Sequence, residues 1–185
     1  MNQEQLVAQA VNIAKKFIKP QEGLCLISYP DPASTMSKAL SNAGKLVLYK
    51  QGKFELTKEF LKLDPEPVTI GWGQTGGIKL GTVWSIEQAE EALSQQVTAR
   101  ALDVLKSAPN LLKHSPEKLA ACISLQFNIG SSAFKNSTVA KKIAQEDMQG
   151  AAAAFKLWNQ AQGKVMQGLI NRRQAEVDLF LSVKG

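Results

Sequence analysis

Apolar residues recur along the opening of this chain at the spacing of one helix face: Leu6, Val7, Ala10, Ile13, Ala14, Phe17 and Ile18. The spacing predicts a helix over about 3–19, with Pro20 ending or kinking it. The pattern then shortens. Residues 24–29 read as a strand, and Pro30 and Pro32 bracket Asp31, which rules out helix or central strand and sets the aspartate on a rigid turn. Residues 36–42 predict a short helix ending at Gly44, 46–56 a hairpin turning at Gln51-Gly52, and 58–63 a further helical turn.

From Ser85 onward the period is helical. Ser85 and Gln88 form a capping box, and Ile86, Ala89, Leu93, Val97, Ala101 and Val104 share the face that follows, up to Pro109. Ser115 and Pro116 open a second helix, where Leu119, Cys122, Ile123, Leu125 and Phe127 give the nearly all-round apolar surface of a buried element. Shorter helices are expected at about 137–145, 148–158 and 169–182. The order is helix, small sheet, helical bundle: an α+β chain, mainly α. As a single domain it divides into a β-rich lobe at about 24–80, including 35–66, and a helical lobe at about 85–185 packed with the N-terminal helix.

Composition narrows the classes. With 185 residues, 44% of them hydrophobic, the chain can bury one real core. No apolar run approaches the ~20 residues of a membrane span, and the first residues lack the basic-then-apolar order of a signal peptide. A soluble, cytosolic protein is the expectation, with a monomer as default. Cys25 and Cys122 lie among apolar neighbours without motif spacing and read as buried reduced thiols, so neither metal nor cofactor is expected. The single histidine, His114, sits in a loop with no partner in sight and receives no catalytic role. A net charge of +6 and a pI near 9.3 favour an anionic partner: nucleic acid, anionic lipid or an acidic polymer such as a bacterial wall.

Candidate chemistry gathers around 68–77, VTIGWGQTGG. Val68, Thr69 and Ile70 favour an extended backbone, while Gly71 and Gly73 remove the side chains that would keep another molecule away from it. Upstream lie Glu22, at the end of the first helix, and Asp31. The negative end of a helix dipole keeps a proton on a carboxyl more readily, which suits a proton donor at Glu22. The segment 35–66 carries Lys38, Lys45, Lys50, Lys53, Lys58 and Lys62 and is a basic flap, either a solvated insertion or a lining of the site.

Four blocks, EGLCLISYPDPAS, EPVTIGWGQTG, SLQFNIGSSAFKNST and FKLWNQAQGKVMQGLINRRQAEVDLF, closely resemble the phage-type lysozymes (endolysins) of glycoside hydrolase family 24. The resemblance covers nearly the whole chain except the flap. In that family a Glu, eight residues, an Asp, and then a Thr in a TIGYGHT-like block form the catalytic set, which maps onto Glu22, Asp31 and Thr69. It implies a lysozyme-like fold with the active site in a cleft between the lobes. It also implies hydrolysis of the β-1,4 bonds between N-acetylmuramic acid and N-acetylglucosamine in peptidoglycan, leading to host lysis. Glu22 is then the general acid, with Asp31 and Thr69 positioning water for an inverting attack. A carboxyl separation of roughly 6.5–9.5 Å fits inversion, and about 5–5.5 Å fits retention. The same resemblance makes Gly73, Gln74, Thr75, Phe127, Asn128 and Ser137 saccharide-binding candidates. It leaves the enzyme in the host cytoplasm until a holin opens the membrane.

Two departures stand out. Gln74 replaces a histidine, so that position cannot titrate. The flap puts thirty-seven residues between Asp31 and Thr69, which brings Asp64 and Glu66 forward as rivals of Asp31. Asp31 is preferred because YPDPAS and EPVTIGWG read as one block cut open by the insertion. Arg172 and Arg173 are candidates for an ion pair orienting Glu22, or else plain surface charge. Two other functions compete. A lytic transglycosylase uses a lone Glu and leaves anhydro ends. A non-catalytic basic helical protein would bind an anionic outer-membrane or membrane surface through its C-terminal helices, or nucleic acid, which the endolysin reading does not expect.

Overall fold

The computed structural model describes residues 1–182; the last three residues of the expected helical lobe lie outside it. Two compact units emerge, Met1–Ile18 with Gln95–Gly185, and Lys19–Ser94.

The first unit is helical. It begins with most of α1 (Gln3–Glu22), which buries Leu6, Val7, Ala10, Ala14 and Ile18 of the predicted face together with Val11, while Ile13 and Phe17 are half-buried. Pro20 neither ends nor replaces that helix, because a proline so near the C-terminus costs one ladder bond and not a turn. The chain then leaves this unit and returns in α4 (Ile86–Ser107). Here α5 (Pro116–Ile129) is buried from Pro116 to Gln126 at every position but Lys118 and packs against α9 (Gln167–Leu181). Ser115, its N-cap, is not the cap the sequence suggested: its hydroxyl makes no cap bond and is buried without a partner among the described residues. Short helices α6 (Ser131–Asn136), α7 (Thr138–Ala144) and α8 (Met148–Phe155) follow. The Phe155 ring meets Phe180 of α9 at 5.4 Å. The sequence pattern did not announce α6, nor the exposed two-stranded hairpin of β3 (Gln160–Ala161) and β4 (Lys164–Val165), because both are too short to show a period.

The second unit is built on β1 (Cys25–Pro30), paired antiparallel with β2 (Val68–Gly71). Along its other edge runs 82–84, with Trp84 N–H bonded to the Leu26 carbonyl and Ser28 N–H to that of Thr82, 2.9 Å each. Residues 35–66 form a folded excursion. It contains α2 (Thr35–Asn42), capped by Ser34, whose hydroxyl accepts from Ser37 N–H. It continues through α3 (Leu46–Lys50) and a 3-10 turn at Phe60–Lys62. The expected hairpin at 46–56 is therefore wrong in both arms, since 46–50 is helical and no strand forms at 53–56. Leu46, Val47, Leu48 and Tyr49 look strand-like, but Tyr49 is buried and its hydroxyl donates to the Ser28 carbonyl of β1 at 2.9 Å. A helical turn brings that phenol to the sheet, and Gly52, with φ of 71°, closes the turn expected there. The start of α4 carries the predicted capping box, Ser85 N–H to Gln88 at 2.8 Å and Gln88 N–H to Ser85 at 3.2 Å.

Candidate active site

Strand register decides where the chemistry stands. Tyr29 lies opposite Thr69 and Pro30 opposite Val68. Just past the strand, Asp31 N–H reaches the Pro67 carbonyl at 2.9 Å. Tyr29 and Thr69 are therefore cross-strand neighbours on one face, and the backbone bond at Asp31 keeps that residue beside the chain that leads into Thr69. The excursion between them is closed at its base. Met36 N–H bonds to the Asp64 carbonyl at 3.1 Å, and Asp64 N–H to the Thr35 hydroxyl at 3.1 Å. Thirty-seven intervening residues thus separate Asp31 from Thr69 in sequence without separating them across the sheet.

Asp31 is half-buried and holds its own turn, one carboxylate oxygen accepting Ala33 N–H at 2.7 Å. Its rivals make turn bonds of the same kind, Asp64 accepting Glu66 N–H at 3.0 Å and Glu66 accepting Val68 N–H at 3.2 Å, but both are exposed. Glu22 is the last residue of α1, half-buried, with Gly23 after it at φ of 69°. A Cβ on Gly73 would stand 3.9 Å from a Glu22 carboxylate oxygen, so that carboxyl overlies the glycine turn following β2. Tyr29 reports on both acids. Burial first, then neighbouring Cys25, Glu22 and Asp31, hold its phenol above the ordinary value, and the Lys50 ammonium from the flap sits 3.8 Å from its ring centre. Sequence reasoning passed over Tyr29, although its position two residues before Asp31 on a strand was a usable signal.

The glycine turn is tight. Ile70 and Gln74 exchange both backbone hydrogen bonds at 2.9 Å, and Gly71 and Gly73 have φ of 65° and 91°. Gln74, expected to face saccharide, is instead 6% exposed, and its side-chain oxygen accepts Trp72 N–H at 2.8 Å. Its carboxamide closes the loop from within. Trp72 is buried as well, with the Lys19 ammonium 4.7 Å from its ring and that lysine ion-paired to Glu90. Thr75 is exposed and Gly73 half-buried, both accessible to a ligand.

The remaining candidates belong to the helical unit. Phe127 is half-buried under the Arg100 guanidinium, 5.0 Å from its ring, and Asn128 is exposed. Ser137 is 4% exposed and caps α7 through Ala140 N–H at 3.1 Å, so its hydroxyl serves the helix first. Arg172 and Arg173 are not surface charges. They are 6% and 1% exposed and share Glu176, which is fully buried. Burial pushes the Glu176 carboxyl up, against the pull of Arg173, the Ser124 hydroxyl and Arg172. His114 lies 3.1 Å from Glu146, far from this chemistry in role, as an exposed surface pair. Among the described residues, no group of three or more His, Cys, Asp or Glu is placed to hold a metal ion, and no helix is long and apolar enough to cross a membrane.

A helical unit and a second unit built on a small antiparallel sheet, with two accessible acids around that sheet, make up the α+β, mainly α composition of lysozymes. Residues 52–176 match the model of the phage lysozyme family, and the chain belongs to that family. It is a glycosidase, a lysozyme whose class of substrate is peptidoglycan. An endolysin of Acyrthosiphon pisum secondary endosymbiont phage 1 is 40% identical over 118 residues, 62% of this chain and 80% of that one. The endolysin of Bacillus phage PZA is 35% identical over 115 residues, 62% of this chain but only 44% of the longer relative. Among solved structures, the endolysin from Escherichia coli O157:H7 phage FAHEc1 superposes with a TM-score of 0.63 at 26% identity, covering 94% of this chain and 90% of that one. The family match includes Thr69 and begins after Glu22 and Asp31, whose assignment rests on residue pattern and geometry.

Proposed function

We propose that the chain is an endolysin-type muramidase, hydrolysing the β-1,4 bonds between N-acetylmuramic acid and N-acetylglucosamine. The observation that carries this reading is the sheet register, which sets Tyr29 opposite Thr69 with Asp31 bonded through its backbone to Pro67 just beyond, and Glu22 over the adjoining glycine turn. Glu22 protonates the departing glycosidic oxygen, and the Asp31 carboxylate with the Thr69 hydroxyl holds and activates a water on the opposite side of the sugar, so the configuration inverts. One Asp31 oxygen is committed to Ala33 N–H, which orients the other toward that water. By family resemblance Gly73 and Thr75 in the sheet unit, and Phe127 and Asn128 in the helical unit, contact saccharide, while Gln74 holds its own glycine turn and Ser137 caps α7. Holin-dependent release from the host cytoplasm, a monomeric state and attraction of exposed Lys135, Lys141 and Lys164 to anionic envelope surfaces complete the proposal.

The test is a turbidity assay on purified walls with wild type, Glu22→Gln and Asp31→Asn, followed by mass spectrometry of the released muropeptides. Reducing ends from wild type and silence from both variants are expected. Anhydro ends would replace hydrolysis by transglycosylation, and lysis persisting in Glu22→Gln would remove the assigned acid.

A further inference from the structure

The helical unit holds a polar device of which the proposed function uses only the outermost residue. Arg173 is 1% exposed, and its Nη2 donates in two directions, to Glu176 Oε1 at 3.2 Å and to Asn128 Oδ1 at 3.1 Å. Its Nε lies 3.0 Å from Glu176 Oε2. Glu176 Oε1 accepts in addition from the Ser124 hydroxyl at 2.7 Å and from Arg172 Nε at 3.4 Å, so the carboxylate anchoring Arg173 is itself held by α5 and α9. At the outer end of this chain of bonds stands Asn128, the only exposed member.

A guanidinium can donate but never accept, so the Asn128 carboxamide must turn its oxygen inward, and its NH2 group is left facing out. Without a buried donor beneath it, a surface asparagine would sample both flips and offer donor or acceptor with little preference. Here the flip is locked, and a locked donor selects a ligand acceptor. We infer that Arg173 is a positioning residue that fixes Asn128 as a hydrogen-bond donor to an amide carbonyl oxygen of the substrate. This rests on the muramidase reading, in which Asn128 meets the glycan strand. Two parts of peptidoglycan present such an oxygen, the acetamido groups of the sugars and the stem peptide. Burying the cationic partner out of the solvent keeps it from binding substrate directly, so its influence runs through Asn128.

The experiment measures KM and kcat on soluble glycan strands for wild type, Asn128→Ala, Arg173→Lys and the double variant, with thermal unfolding recorded for each. Loss of one neutral hydrogen bond predicts a KM rise of up to about tenfold in Asn128→Ala with kcat nearly unchanged. Arg173→Lys keeps the charge and loses the fork, so KM rises with the flip unlocked, but in the Asn128→Ala background the same change adds nothing. A purely structural arginine would raise KM equally in both backgrounds, and that result overturns the proposal. The substrate arms name the oxygen. The Asn128→Ala penalty disappears on de-N-acetylated strands if the acetamido group is the acceptor, and on strands freed of peptide if the stem is. A penalty unchanged on both overturns the proposal, as does an unchanged KM in Asn128→Ala. The kcat loss of Glu22→Gln is read separately, so the muramidase reading stands or falls on its own measurement.

Discussion

The two units treat carboxylates in opposite ways. In 19–94, Glu22 and Asp31 are left half-exposed at the end of a helix and on a proline-bracketed turn, around a sheet two strands wide. In the helical unit, Glu176 is fully buried and bound to two arginines and a serine hydroxyl. A buried charge with several partners is rigid and committed, since removing any partner strands the rest. A carboxyl that must trade a proton with substrate requires access to it. One unit carries the acids proposed to react, and the other a structural one.

The sharpest way to test that contrast is to neutralise one acid of each kind. Glu22→Gln should lower wall hydrolysis about 10³-fold with the melting temperature unchanged, as the loss of a general acid predicts, measured by turbidity and calorimetry on the same preparation. Glu176→Ala should do the reverse, costing about 3–5 kcal/mol of stability by taking from the buried Arg173 the carboxylate it shares with Arg172, read from denaturant unfolding, with folded molecules at low temperature still turning over. A smaller break is available in the sheet unit. At Gly71, φ is 65° and a Cβ would stand 2.2 Å from the Gln74 side-chain oxygen, so Gly71→Ala should destabilise by about 2 kcal/mol and raise KM through the displaced turn. The smallest effect is one of pH. The Lys142 ammonium and then the Gly150 N–H hold Asp147 below its ordinary 3.8. Its contribution is therefore complete above 3.8 and is lost as the pH falls through its lowered value. Asp147→Asn should flatten the acid limb of the stability profile slightly.

Much of the fold was legible because it is local. The apolar period of α1, the capping box at Ser85 and Gln88 and the all-round apolar α5 need only neighbours within a few positions to be recognised. The misread parts are those where a distant group outvoted the local pattern. Leu46–Lys50 turned helical to deliver Tyr49 to Ser28, and α1 ran through Pro20 to carry Glu22 to its last position. At the site, the types and spacing of Glu22, Asp31 and Thr69 stood out along the chain. The inward turn of Gln74, the capping of Ser137 and the neighbourhood of Tyr29 did not, since each depends on contacts that no spacing encodes.

By itself the sequence determined that this chain is mostly helix around a short sheet, that it bears two acids and a threonine in the family's order, and that a lysine-rich excursion interrupts them. Only the tertiary structure decided that the excursion closes at its base and hands Asp31 back to the strand bearing Thr69, and that Arg172 and Arg173 are buried rather than displayed. The physical reason is the same in both cases. Helical period and caps are settled over one or two turns, whereas strand register and the burial of charge are settled by partners tens of residues away.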